Sequence, residues 1–153
     1  MSYELVEERM HSLMLNLTPV FSKAEQLTRG DWRVMNLGKS PCGIFYPGAL
    51  PPATPLTAES WGYHYHVNFD FYYRFKDDGK SMREFEELRD KVLQHMQAYP
   101  TLNHLSSTTE IEGFSGSDVI ELYSKEGQGP YYLAQTLTWT ILDYVQVTLL
   151  EGS

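Results

Sequence analysis

Two histidines separated by one residue, His64 and His66, stand in the run W-G-Y-H-Y-H-V-N-F-D-F-Y-Y-R-F at 61–75, with Asn68 and Asp70 further along. On an extended strand, side chains two positions apart share a face and lie about 6.6 Å apart along it. Imidazoles with a carboxylate are ligands for a transition metal. The same groups facing a pocket would serve as acid and base. The competing reading is that they are simply the wet side of an amphipathic strand. Cys42, between Pro41 and Gly43, would be a nucleophile only as a thiolate beside a base, and nothing local singles out one of the five histidines.

Other short signals lead to bland readings. Gly113-Phe114-Ser115-Gly116-Ser117 has serine where a G-x-S-x-G elbow requires glycine. Glu84, Glu86, Glu87 and Asp90 alternate with Arg83, Arg89 and Lys91 as a solvated, i,i+4-paired helix face does. Arg29-Gly30-Asp31 reads as a turn rather than an adhesion ligand, and the Asn16-Leu17-Thr18 sequon is followed by Pro19. No phosphate loop, H-E-x-x-H or Cys-pair zinc spacing occurs. No enzyme activity, metal or cofactor is therefore expected from the motifs.

The elements that must position these residues are plainer. In 61–75 every odd position is apolar or aromatic (Trp61, Tyr63, Tyr65, Val67, Phe69, Phe71, Tyr73, Phe75), and the even ones are mostly polar. That alternation predicts one long strand with a dry face and a wet face. Its fifteen residues span about 50 Å, against about 5–6 residues for a usual strand. Ser81-Met82-Arg83-Glu84 fits a capping box with Ser81 as N-cap. Phe85, Leu88, Val92, Met96 and Tyr99 then repeat at helical spacing up to Pro100. A helix of about 17 residues is only about 25 Å long, half the strand. A second over-long strand is predicted over 131–149, with Leu133, Leu137, Trp139, Ile141, Val145, Val147 and Leu149 on one side. Gln135 and Asp143 interrupt that side and suggest a bend or bulge.

Val6, Met10, Leu13, Met14 and Leu17 predict an amphipathic helix over 2–17. Thr18-Pro19 suggests a second short helix over 19–28, and Asp31 to Leu37 a short strand. Five of the eight prolines fall between Pro41 and Pro55, with Gly43 and Gly48 among them and Gly38 just before, so 38–60 is expected to be an extended loop. Within it, Ile44-Phe45-Tyr46 could dock as an edge strand. Weak strands are expected at 108–112 and 118–123, separated by Gly113–Gly116, and a turn at 125–130.

Composition bounds the function. The 153 residues fit one domain over 1–153, large enough to bury about two-thirds of its unfolded surface. A net charge of −8 argues against clamping nucleic acid through its phosphates. One cysteine cannot make an internal disulfide, no basic-then-apolar leader opens the chain, and no apolar run approaches the ~18 residues of a membrane span. Cytosolic synthesis, with no membrane partner, is the expectation. The expected fold class is α+β: a mostly antiparallel, strongly twisted sheet with two long strands, packed on one face by the N-terminal and central helices.

The order from residue 61 onward is long strand, capped helix, Y-P-T-L at 99–102, two short strands, G-Q-G-P at 127–130, Y-Y-L-A-Q-T-L at 131–137 and a last long strand. Over about 60% of the chain, this resembles the tail terminator and tail-completion proteins of long-tailed bacteriophages, the group that includes the lambda U protein. The Pro/Gly-rich stretch 38–60 departs from that pattern.

The resemblance implies a virion structural protein, made in the host cytoplasm, that assembles as a homo-oligomeric ring, commonly a hexamer, on the tail tube. Such a ring ends tube polymerisation and offers a head–tail joining surface, so the implied partners are the tail tube protein and the head–tail connector. DNA would pass through the ring without specific binding. The residues expected at the subunit interface are Trp61, Tyr63, Tyr65, Ile44, Phe45 and Tyr46. The alternative is a small cone-shaped α+β enzyme or ligand-binding protein using His64, His66 and Asp70, in which the histidine side of the strand faces inward.

Overall fold

In the computed structural model, which describes residues 2–30, 40–50, 53–57, 59–76, 79–123 and 131–146, two long strands run side by side. β4 (Ser60–Arg74) and β7 (Tyr132–Gln146) pair antiparallel without a break, from Ser60 opposite Gln146 to Arg74 opposite Tyr132. β1 (Leu27–Arg29) and β2 (Cys42–Pro47) extend the sheet beyond β4, and β5 (Thr109–Gly116) extends it beyond β7, giving the order β1-β2-β4-β7-β5. β3 (Thr54–Pro55) lies beside β4, and β6 (Ile120–Leu122) beside β7. Only the β1–β2 pair is parallel. With helices α1 (Tyr3–Met14) and α2 (Ser81–Gln97), this is the α+β fold that the hydrophobic pattern predicts.

Both helices pack on one face. α1 buries Val6, Met10, Leu13 and Met14, and α2 buries Phe85, Val92 and Met96. These join Phe45, Val67, Phe69, Phe71, Leu137, Trp139 and Ile141 in one apolar cluster. Aromatic rings set its centre: Phe45 and Phe69 stand 4.5 Å apart between centroids, and Phe71 and Phe85 stand 5.3 Å apart. Polar ties fix α1 to the sheet, since the buried Glu7 carboxylate takes Arg29 Nε at 3.0 Å and the Tyr3 hydroxyl. His95 bonds the Leu13 carbonyl at 2.6 Å and links the helices.

Several expectations are corrected. The helix over 19–28 is replaced by a single 3-10 turn, Ala24–Gln26, and strand β1. The Gln26 side chain explains this: it donates to the Val20 and Pro41 carbonyls and accepts from the Lys23 N–H. Such local side-chain bonds offer the backbone an alternative to a helix. Val20 and Phe21 meanwhile anchor the segment in the core.

The Pro/Gly stretch is not loop throughout, because Cys42–Pro47 forms β2 between β1 and β4 rather than at an edge. Gly43 is a packing residue there: a Cβ on it would fall 2.2 Å from the Phe69 ring. The predicted strand at 31–37 and the turn at 125–130 lie outside the described residues.

Ser81 is the first helical residue and not the cap. Lys80 occupies the N-cap, while the Ser81 hydroxyl accepts the Lys76 N–H and donates to the Lys76 carbonyl. Gly113–Gly116 lies inside β5 rather than separating two strands. The irregularity expected in β7 sits instead in β5, between Ile111 and Gly113. β7 stays regular because its two interrupting residues find partners across strands. Asp143 accepts from Thr108 and Thr109 at 2.8 and 3.2 Å, and Gln135 donates to the Ser117 carbonyl at 2.7 Å.

Candidate assembly surface

Along the dry face of β4 the burial changes abruptly. Val67, Phe69 and Phe71 are fully buried and Tyr73 is 6% exposed, whereas Trp61, Tyr63 and Tyr65 at the start of the strand are only half-buried. The cause is the length of the cover. Fifteen residues in β4 reach about 50 Å, while the seventeen of α2 reach about 25 Å. On β7 the cover reaches further: Leu133, Leu137, Trp139 and Ile141 are sealed, Asp143, opposite Tyr63, is 2% exposed, and Val145, opposite Trp61, is half-buried. The dry faces of both strands therefore run out from under the helices at the same end.

The other face of that end is also apolar. Gly62 leaves space in which methyl groups of Leu56 and Leu142 approach, 3.8 and 3.6 Å from where a Cβ would stand. Tyr144 on this side is 40% exposed, Leu56 is 49% exposed, and Leu50 in the preceding loop is 77% exposed. None of these four was picked out from the sequence. Leu50 and Leu56 lie in the proline-rich stretch, and only their being apolar beside a proline could have flagged them.

The structure separates the six expected interface residues. Trp61, Tyr63 and Tyr65 share the dry face at the open end. Ile44 and Phe45 are 1% and 0% exposed, enclosed by their own protomer, so neither offers surface to a neighbour. Phe45, opposite Phe69, faces the helices and joins their core, whereas Ile44, opposite Asp70, is enclosed on the other face of the sheet. Tyr46 is turned to the wet face, where its hydroxyl donates to Asp70 at 2.8 Å.

The wet face carries the histidines, and no described helix packs on it. Its side chains satisfy one another. Asp70 also accepts from Thr136 at 2.6 Å, Asn68 accepts from Thr138 at 2.7 Å, and His64 Nδ1 lies 2.8 Å from a Glu112 carboxylate oxygen. Burial, together with the Asp70 carboxylate, pushes the Tyr46 and Tyr72 hydroxyls each up to about 12, so both remain protonated donors.

His64 and Asp70, six residues apart, stand about 20 Å apart along the strand and are not brought together. Among the described residues no group of three or more His, Cys, Asp or Glu is placed to hold a metal ion. Cys42 is fully buried, and burial pushes its thiol up to about 11, which keeps it protonated and out of reach. Ser115 lies within strand β5, not on the strand-to-helix turn of a nucleophile elbow. No described helix is long and apolar enough to cross a membrane.

No protein-family model matches the chain, and no curated protein matches it.

Proposed function

We propose that this protein is a structural subunit of a long-tailed bacteriophage virion, which assembles as a homo-oligomeric ring, a hexamer, at the end of the tail tube. The ring ends tube polymerisation and presents the surface on which the head connector is joined. The observation that carries the reading is the uncovered end of the β4–β7 ribbon. There Trp61, Tyr63, Tyr65 and Val145 extend the core's apolar stripe past the last helical cover. An apolar patch continuous with a core and left in water is the mark of an association surface, and aromatic residues are enriched at the centres of such surfaces.

A ring needs a heterologous contact, in which two different patches of one protomer meet on successive copies. In this reading the ribbon end is one patch and packs under the neighbour. A net charge of −8 suits a ring through which DNA passes without sticking. No catalytic role is proposed: His64 is held by Glu112, Asp70 by Tyr46 and Thr136, and Cys42 is enclosed.

Negative-stain electron microscopy tests this directly. The purified protein is expected to form annular particles and, mixed with purified tail tubes, to sit at one end of each tube. Tubes that continue to lengthen in its presence, with bare ends, would refute the assignment.

A further inference from the structure

We infer that the edge of the sheet at β5 receives an extended strand from a partner protein, with an apolar anchor residue flanked by lysine or arginine. Three observations meet there. First, β5 pairs only with β7, and from Glu112 to Gly116 no other described strand takes up its outer side. The Pro100 carbonyl occupies the Ile111 N–H, at 2.7 Å, and among the described residues the coverage ends at that point. An unpaired row of backbone donors and acceptors is a template for one more strand.

Second, a cleft of about 210 Å³ opens where the Pro100 contact stops, lined by Gln97, Pro100, Ile111, Gly113, Phe114 and Trp139. Trp139 in its wall is 1% exposed, and its indole N–H has no hydrogen-bond partner among the described residues. A buried donor without an acceptor is costly, and an inserted residue that parts the cleft wall would bring a carbonyl to it. Phe114, 45% exposed at the rim, would close over the anchor side chain.

Third, residues 105–123, which run along this edge, include Glu110, Glu112, Asp118 and Glu121 and not one lysine or arginine. Carboxylates along an open edge repel an acidic strand and attract a basic one. The apolar cleft fixes the register and the charges select the partner. This inference does not rest on the ring reading, since it uses the β5 edge and its cleft and not Trp61, Tyr63 or Val145.

The probe is an acetylated, amidated heptapeptide, Lys-Val-Lys-Leu-Lys-Val-Lys, added to the full-length protein labelled with nitrogen-15. The chain has three tryptophans, and the Trp139 indole cross-peak is identified by its loss in Trp139→Phe. Binding is expected to shift that cross-peak downfield and to protect amides of 112–116 from hydrogen exchange. The apparent Kd should rise about tenfold from low to physiological salt. The double variant Glu110→Lys, Asp118→Lys alters only exposed side chains and is expected to abolish binding while leaving the indole spectrum of the free protein unchanged. An unshifted Trp139 indole, equal binding of a glutamate-for-lysine peptide, or protection of β5 by the protein's own self-association without peptide would each overturn the inference.

Discussion

Trp61 and Val145 face each other across the β4–β7 ladder, on the dry side of the sheet, and both remain half-exposed. Three pairs further along, Val67 and Trp139 occupy the same side and are sealed. The ribbon is one continuous structure whose cover stops partway. Trp61→Ala and Tyr63→Ser are accordingly expected to weaken association by about 2 kcal/mol or more, the scale of an interface hot spot. Each should lower the unfolding free energy of the isolated protomer by less than about 1 kcal/mol, the range of partly exposed sites. Sedimentation velocity and urea denaturation measure the two effects. Equal losses in both would mean that these residues serve only the fold.

Gly43 tests the packing of β2. A methyl group there meets the Phe69 ring at 2.2 Å, and that ring is clamped between Phe45, Phe21 and Trp139. Gly43→Ala should therefore destabilise by about 1–3 kcal/mol through overpacking, and Phe69→Ala by about 3–5 kcal/mol through the cavity left. Chemical denaturation midpoints decide both.

His11 governs the acid side. Burial pushes its pKa below the ordinary 6.5, with the Leu27 carbonyl at 3.3 Å opposing that shift and Phe45 packed edge-on at 6.1 Å. A base whose folded pKa is lowered binds fewer protons folded than unfolded, so its contribution is present above 6.5 and fades as pH falls below it. Thermal melts from pH 7 to 5 should show Tm falling, and His11→Gln should flatten that slope. An unchanged slope would show that His11 is not the group responsible.

On the alkaline side, where burial also raises Tyr3 and Cys42, Tyr46 and Tyr72 are both raised to about 12 from 10.0. Here the folded state keeps protons that the unfolded state gives up, so stability falls as pH rises from 10 towards 12. Each contributes about 1 kcal/mol once screening of these half-exposed groups is allowed for. Tyr46→Phe should remove part of the alkaline loss, read from denaturation at pH 9 and 11.

What the sequence made legible was what repeats. The two-residue period from Trp61 to Phe75 predicts β4 to within one residue of Ser60–Arg74, and the helical period from Phe85 to Met96 predicts α2. The mismatch between strand and helix lengths follows from those two, and with it the aromatic end. Contacts between distant residues were not legible. Pro41 and Pro47 suggested a loop, yet the run between them is held in the sheet by β4, with Gly43 beneath Phe69. Asp143 suggested a broken β7, yet hydroxyls of Thr108 and Thr109 satisfy it from the neighbouring segment. Nothing near Ile44 and Phe45 in the sequence reveals that both faces of this inner strand are covered, Phe45 by the helix-side core.

Native mass spectrometry of the wild-type protein and of Trp61→Ala, across protein concentrations, weighs the ribbon end most directly. A closed assembly of six copies that falls to single chains in the variant is the expected result. A wild-type protein that stays a single chain at every concentration, with Trp61→Ala indistinguishable from it, would contradict the proposal that the uncovered strands are where copies join.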